Sequence, residues 1–511
     1  MNHHRPLWPS STLWKTADPN CHRRRYRGGV SVFEGLLEGL NKRQRAAVES
    51  PGTPLCIRAG AGTGKTRVLT RRIAHQAGIG AIDPKRTMAI TFTRKAAVEL
   101  RERLAGLGLR DSVSAGTFHS TAYSQLRTRW AERGIKPPEL AQDKRGLVAR
   151  AARQAGLRLA KAEVQDAVAE IEWAKAHRIS PSDYCERAAG LRRWPALDHS
   201  VVADLFLRYE SEKVKRRVVD FDDLLILALR DLTDDPDYAE ARRWSYQHLF
   251  VDEFQDVNRL QFELLRAWLG DRNDLCAVGD PNQAIYSWNG ADSDYIERFA
   301  SWFPGAEVLD LLDNYRSTPQ ILAAGRAVLP AGAAKLASHS LDGPRPTVST
   351  HVDDFDEAAT IARALRDAKG PEMAWSSMAV LARTNAQTAK LAATLEKAQI
   401  PCRVRIDSHR TDDGAGAAPP NGSDAVDVAT FHAAKGLEWP IVHLAGLEQG
   451  LVPISRAQTP AEIAEERRLL YVAITRAERE LHCHWAAERA FGDRTSARSP
   501  SPYLNAILSA A

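Results

Sequence analysis

From Leu40 onward, short apolar runs alternate with longer stretches in which apolar residues recur every three or four positions. The runs at 55–58, 87–93, 112–117, 248–252, 275–278, 379–382, 425–430, 441–445 and 481–485 are predicted strands. Several are apolar throughout and end in a polar or glycine-bearing turn. Parallel strands buried on both faces, with functional loops at their carboxyl ends, give this pattern. Two stretches break the alternation. Residues 126–214, rich in Ala, Arg, Glu and Leu at helical spacing, predict an inserted helical unit. Residues 407–425 (DSHRTDDGAGAAPPNGSDA) have almost nothing to bury and predict a mobile loop. Residues 1–30, rich in Pro, His and Arg, predict a disordered leader.

Composition narrows the class only a little. A chain of 511 residues is too long for one ordinary core. No uninterrupted apolar stretch reaches membrane-spanning length, so no membrane partner is expected. The cysteines at 21, 56, 185, 276, 402 and 483 form no Cys-x-x-Cys pair, which argues against a zinc site or a disulfide framework and predicts a reducing, cytoplasmic setting. A net charge of +6 suits a nucleic-acid partner, but a solvated arginine-rich surface gives the same figure.

The chemistry enters at AGAGTGKT, residues Ala59, Gly60, Ala61, Gly62, Thr63, Gly64, Lys65 and Thr66, between a predicted strand and a predicted helix. Small residues there let backbone N–H groups curl around phosphate oxygens at a helix N-terminus. Lys65 is placed to reach the β- and γ-phosphates, and the Thr66 hydroxyl to hold Mg²⁺. LFVDEFQD supplies the acidic partner: Asp252 for the metal shell and Glu253 as acceptor of a proton from the attacking water. Gln255 and Asp256 fit either this site or a cap on the next helix. Arg316 and Arg476, distant in sequence, are candidates for stabilising charge on the transferring phosphoryl group. Alone, each would equally suit a surface ion pair.

The blocks in order are LNKRQRAAV (40–48), AGAGTGKTR (59–67), ITFTRKAAVELRER (90–103), GTFHS (116–120), DFDDLL (220–225), VDEFQDVN (251–258), VGDPNQAIYSWNGAD (278–292), NYRST (314–318), LARTNAQ (381–387), TFHAAKGLEW (430–439) and EERRLLYVAITRA (465–477). One block is weak evidence; the full set in this order resembles superfamily-one DNA helicases of the UvrD/Rep/PcrA type. The resemblance implies an α/β fold with two RecA-like P-loop domains. Domain 1A would take 31–125 and 215–305, the helical insertion 1B 126–214, and domain 2A 306–511. It implies ATP and Mg²⁺ as cofactors, and single-stranded and tailed duplex DNA as partners. It also implies 3′-to-5′ movement, in repair or replication.

By the same resemblance Gln44 reads adenine, Arg67 and Tyr315 sandwich the base, Glu438 contacts the ribose and Gln283 senses the γ-phosphate. Gln44 also fits a helix cap and Tyr315 a core position. Phe92, Thr117, His119, Tyr286, Trp288, Arg383, Asn385 and His432 match positions lining the DNA strand; for Phe92 a core role stays open. Three departures stand out: Arg94 where the family has Asn, Asn289 where it has Arg, and no room between LARTNAQ and TFHAAKG for the accessory subdomain 2B. The loop 407–425 lies there instead, so a repair or replication protein supplying the missing duplex contact is an expected partner. Two readings compete: a translocase that strips proteins from DNA without efficient unwinding, and a non-catalytic DNA-binding regulator. The regulator should have lost Lys65, Glu253, Arg316 or Arg476, and all four are present.

Overall fold

The computed structural model describes residues 35–110, 112–405, 424–491 and 494–510. The expected leader 1–30 lies outside the described residues, as does the loop 407–425 apart from its last two positions. The first sheet has six parallel strands in the order Ser114–Thr117, Thr87–Thr91, His248–Val251, Leu275–Gly279, Leu55–Ala59 and Glu307–Leu311. Successive side chains of its strands enter opposite cores. Leu55, Ile57, Ala89 and Phe250 pack with the helix Lys65–Gly78, while Cys56, Met88, Ile90, Leu249 and Val251 pack with Phe118, Leu225 and Trp268. Period-two alternation of wholly apolar runs makes this possible.

The second sheet runs Thr347–Asp353, Ala477–Phe491, Trp439–Leu444, Met378–Ala382, Val426–Thr430 and Cys402–Arg405, all parallel, with Arg494–Ala497 antiparallel on the long strand. It too has a core on each face. Every predicted strand is present. Among the parallel strands of the two sheets, three were not expected, each mixing polar with apolar residues: EVLDL at 307–311, TVSTHVD at 347–353 and CRVR at 402–405. All three lie at sheet edges, where one side needs no apolar neighbour.

The helical insertion has its own core, from Ala141 to Tyr209. One expected boundary needs correction. The helix Phe118–Glu132 runs straight across residue 126, and its Leu126 and Trp130 belong to the first sheet's core. The chain leaves and returns at a neck where Glu139–Leu140 pairs with Val218–Val219. Just beyond the neck, Asp220 of DFDDLL caps the helix Phe221–Asp234 and is buried between two lysines of the insertion. Lys175 Nζ lies 2.6 Å and Lys213 Nζ 2.9 Å from Asp220 Oδ2, and the Tyr209 hydroxyl donates to the same oxygen at 2.8 Å. Glu210, Asp220 and Asp223 stand close enough together to suggest a metal site, but the ammonium groups of Lys175 and Lys213 each already bridge all three carboxylates.

Candidate nucleotide cleft and nucleic-acid face

The phosphate loop follows the strand Leu55–Ala59 and turns into the helix Lys65–Gly78 at Gly64, whose φ of +83° a side chain would resist. Gly62, at φ +67°, leaves room for Asn314: a Cβ there would sit 2.4 Å from its Nδ2. Asn314 Nδ2 donates to the Ala61 carbonyl at 2.6 Å, and the Tyr315 N–H to the Gly62 carbonyl at 2.9 Å. Asn314 thus ties the NYRST segment to the phosphate loop, a role the sequence reading did not give it. Gln44 takes the capping role open to it and also contacts the phosphate loop. Its Oε1 caps Asn41 N–H at 3.2 Å, and its Nε2 donates to the Thr63 carbonyl at 2.9 Å beside the loop.

Asp252 and Glu253 follow the strand His248–Val251, across from Lys65 and Thr66. Thr66 Oγ1 is 3.4 Å from Asp252 Oδ2. Burial and the adjacent Glu253 push the Asp252 carboxyl up to about 7, against the pull of Lys65. A crowded buried carboxylate beside a hydroxyl is a donor pair that a hard divalent cation suits. Burial also works to raise Glu253, yet Lys65 and Lys435 outweigh it and hold this carboxylate below its usual range. Its backbone sits at φ +52°, a strained conformation for a residue with a side chain. Gln255 and Asp256 do not cap the next helix; Asn258 does. The Gln255 amide instead spans from Glu253 to the Asp280 N–H, which donates to it at 2.9 Å. Asp256 pairs with Lys435 at 2.5 Å.

Lys435, in TFHAAKG, is the functional-looking residue that motif reading passed over. It crosses from the second domain to Asp256 and donates to the Gln283 carbonyl at 2.8 Å. The Gln283 side chain donates to Asp280 at 2.7 Å. Arg316 pairs with Glu438, so two sequence candidates meet one another. Arg476 is fully buried, its guanidinium held by the carbonyls of Val472 at 2.9 Å and Leu437 at 3.1 Å. Burial, and next Arg316, lower its pKa to about 9. Arg67 is exposed beside Gly39, and Tyr315 is half exposed.

The DNA-facing candidates sit past the carboxyl ends of neighbouring strands. Phe92 follows Thr87–Thr91, Thr117 ends Ser114–Thr117 with His119 just after it, and Arg383, Asn385 and His432 follow Met378–Ala382 and Val426–Thr430. Phe92 is half buried and edge-on to Phe118 at 5.8 Å. Thr117 caps the helix Phe118–Glu132, and Asn385 is exposed at the first position of the helix Asn385–Lys397. His119 lies edge-on to Phe221, its Nε2 buried with no hydrogen-bond partner among the described residues.

Two candidates are not presented as expected. Tyr286 is 4% exposed and embedded in the second domain's core, and Arg383 is buried in a bidentate pair with Glu466. Trp288 is only half buried, its ring 6.5 Å from that of His432 and packed at the margin of the second domain's core. Arg94 is exposed at the first position of the helix Arg94–Gly106, and Asn289 donates to the Tyr286 carbonyl at 3.0 Å.

Two parallel α/β domains meeting over a phosphate loop define a P-loop NTPase with paired RecA-like domains, a fold that implies ATP binding. The UvrD/REP helicase N-terminal domain model matches residues 40–304, and the UvrD-like helicase C-terminal domain model matches 309–409 and 416–488. The chain belongs to the UvrD/Rep helicase family. It is 35% identical to the ATP-dependent DNA helicase UvrD2 of Mycobacterium tuberculosis, over 92% of this chain and 82% of that one. It is 27% identical to the ATP-dependent DNA helicase PcrA of Bacillus subtilis, over 93% of this chain and 86% of that one. These alignments span 577 and 646 positions, more than this chain's 511 residues, so both relatives carry inserted sequence that it lacks. The architecture is the compact one, without 2B. Among the described residues no helix is long and apolar enough to cross a membrane.

Proposed function

We propose that this protein is an ATP-driven translocase on single-stranded DNA that moves 3′ to 5′ and separates strands weakly on its own. One segment carries the reading. Residues 280–291 begin beside Lys65 and end at the aromatic face, and the second domain holds them at three points. Lys435 binds the Gln283 carbonyl, Arg468 donates to the Ala284 carbonyl at 2.9 Å, and Glu465 accepts the Ser287 N–H at 2.9 Å. A change of nucleotide state that shifts the two domains therefore drags Trp288 with it.

In this reading the backbone amides of 60–66 and Lys65 cradle phosphates at a helix N-terminus. Thr66 and Asp252 would hold Mg²⁺, which neutralises charge on the phosphates. Glu253 accepts the proton of the attacking water, and Arg316 and Arg476 stabilise charge on the transferring group. Gln44, Arg67, Tyr315 and Glu438 receive the nucleoside, and Gln283 reports the γ-phosphate. Phe92 and Trp288 stack on bases, with Thr117, His119, Asn385 and His432 along the strand.

The 3′-to-5′ direction and a place in DNA repair or replication follow from the family. The lack of 2B favours translocation and protein displacement over unwinding, because a duplex grip is missing. A single-strand translocation assay beside strand displacement on tailed duplexes tests this. Translocation with length-limited unwinding is expected; efficient unwinding of long duplexes by the monomer would refute it.

A further inference from the structure

Tyr315 presents a half-exposed ring that no core holds. Its hydroxyl accepts a hydrogen bond from Asn41 Nδ2 at 2.7 Å, the residue that caps the Gln44 helix. One face of the ring is already covered. His339 lies against it with centroids 4.8 Å apart and planes 15° from parallel.

His339 is brought there by a small, well-tied piece of backbone. Ala337–Ser338 pairs in parallel with Asp313–Asn314, and the His339 N–H donates to the Asn314 carbonyl at 2.8 Å. The Ser338 hydroxyl donates to the Ser317 carbonyl at 2.8 Å. The imidazole edge is fixed in turn, with Nε2 2.9 Å from Asp313 Oδ1. The same Asn314 that anchors this strand reaches across to the phosphate loop at Ala61. The imidazole is therefore registered to the phosphate site through backbone, while the phenol ring is registered to the imidazole.

We infer that His339 is a positioning residue for the nucleotide base: it backs Tyr315 so that the open face of that ring is pre-oriented for adenine. The base then enters an ordered stack, with Arg67 on one side and Tyr315 with His339 behind it on the other. An exposed aromatic ring held by one hydrogen bond samples other rotamers, and ordering it on binding costs affinity. A parallel ring partner supplies that ordering beforehand. The inference rests on reading Tyr315 as a base contact.

The test uses the full chain with saturating single-stranded DNA, and inorganic tripolyphosphate as a ligand that has phosphates but no base. His339→Ala is expected to raise the KM for ATP roughly threefold to tenfold, the worth of one aromatic pair. The effect falls on KM rather than kcat, and inhibition by tripolyphosphate is unchanged. His339→Phe, which restores a ring without the hydrogen bond, recovers most of the KM. Tyr315→Ala raises KM at least as much as His339→Ala. If Tyr315→Ala raises KM and His339→Ala does not, the inference is overturned while the base contact stands. If neither changes KM, the base contact itself is wrong. Parallel weakening of ATP and tripolyphosphate without rescue by Phe makes His339 a structural support of the loop, which also overturns the inference.

Discussion

Arg476 shows how far a residue's surroundings can sharpen a motif. In sequence it was a candidate that a surface ion pair would also suit; in the fold it is fully buried, gripped by two carbonyls and set near Arg316 and Glu253. In the role proposed for it, this guanidinium stabilises transition-state charge through its planar fork, which lysine cannot reproduce. Arg476→Lys is therefore expected to cut kcat by about 10³ while nucleotide affinity changes far less. Turnover measured beside a fluorescent-nucleotide titration checks this, and equal losses in both would make Arg476 a ground-state contact. Trp288 is the second residue worth testing. Trp288→Ala should weaken single-strand binding by about 1–3 kcal/mol at fixed salt, the value of one lost stack. Unchanged binding with a large drop in melting temperature would instead assign the ring to the core that it partly touches.

At the scale of elements, two buried polar clusters hold the fold in place. DFDDLL looked like a family block without a purpose; the fold makes it the clamp between the helical insertion and the first domain. Asp220→Ala would leave Lys175 and Lys213 with less compensation in a buried setting, and a loss of about 3–5 kcal/mol in unfolding free energy is expected by denaturant titration. A loss under 1 kcal/mol would mean that Asp223 and Glu210 suffice.

The second sheet carries a chain of imidazoles across three adjacent strands. His351 Nε2 is 3.1 Å from His484 Nδ1, and His484 Nε2 is 3.0 Å from His443 Nδ1. Asp356 lies 3.6 Å from His351, His482 stacks on His443, and Glu480 lies 3.4 Å from His482. Burial, with His351 and His482 adding to it, lowers His484 to about 3, and burial, with His484 and His482 adding to it, holds His443 well below its ordinary value. Both stay neutral in the native protein near neutrality, whereas in the unfolded chain they titrate near 6.5. Below that pH the unfolded state takes up protons that the native state refuses. Stability is thus full above 6.5 and falls as the pH drops toward 3, by up to about 1.4 kcal/mol per pH unit for each histidine. Thermal melts from pH 7 to 5 should show a shallower decline for His484→Gln than for the native chain; parallel declines would contradict this account.

For the whole molecule, the question is whether the two domains work as one device. Asn314, Lys435, Arg468 and Glu465 all cross between them, and each lands on the phosphate loop or on the segment that leads to Trp288. Single-stranded DNA pressed against that face should therefore stimulate ATP hydrolysis strongly, and Lys65→Ala should abolish it. Steady-state rates with and without an oligonucleotide are the measure, and equal rates would disprove coupling.

What the sequence determined by itself was local or periodic. Mostly apolar runs marked the central strands, because a strand covered on both faces can take a polar side chain only where a buried partner meets it, as His443 and His484 meet one another. The phosphate loop was legible because its geometry admits so few residue types between a strand and a helix. The mixed edge strands were not legible, since an open edge imposes no pattern, and neither was the start of the insertion, because the helix Phe118–Glu132 has the same periodicity on either side of residue 126. Only the tertiary structure could show that Tyr286 and Arg383 turn inward, that Lys435 spans the domains and that Asn314 reaches the phosphate loop. Those positions depend on which segments far apart in the chain come to face each other, and a side chain's role follows from the partner it finds there.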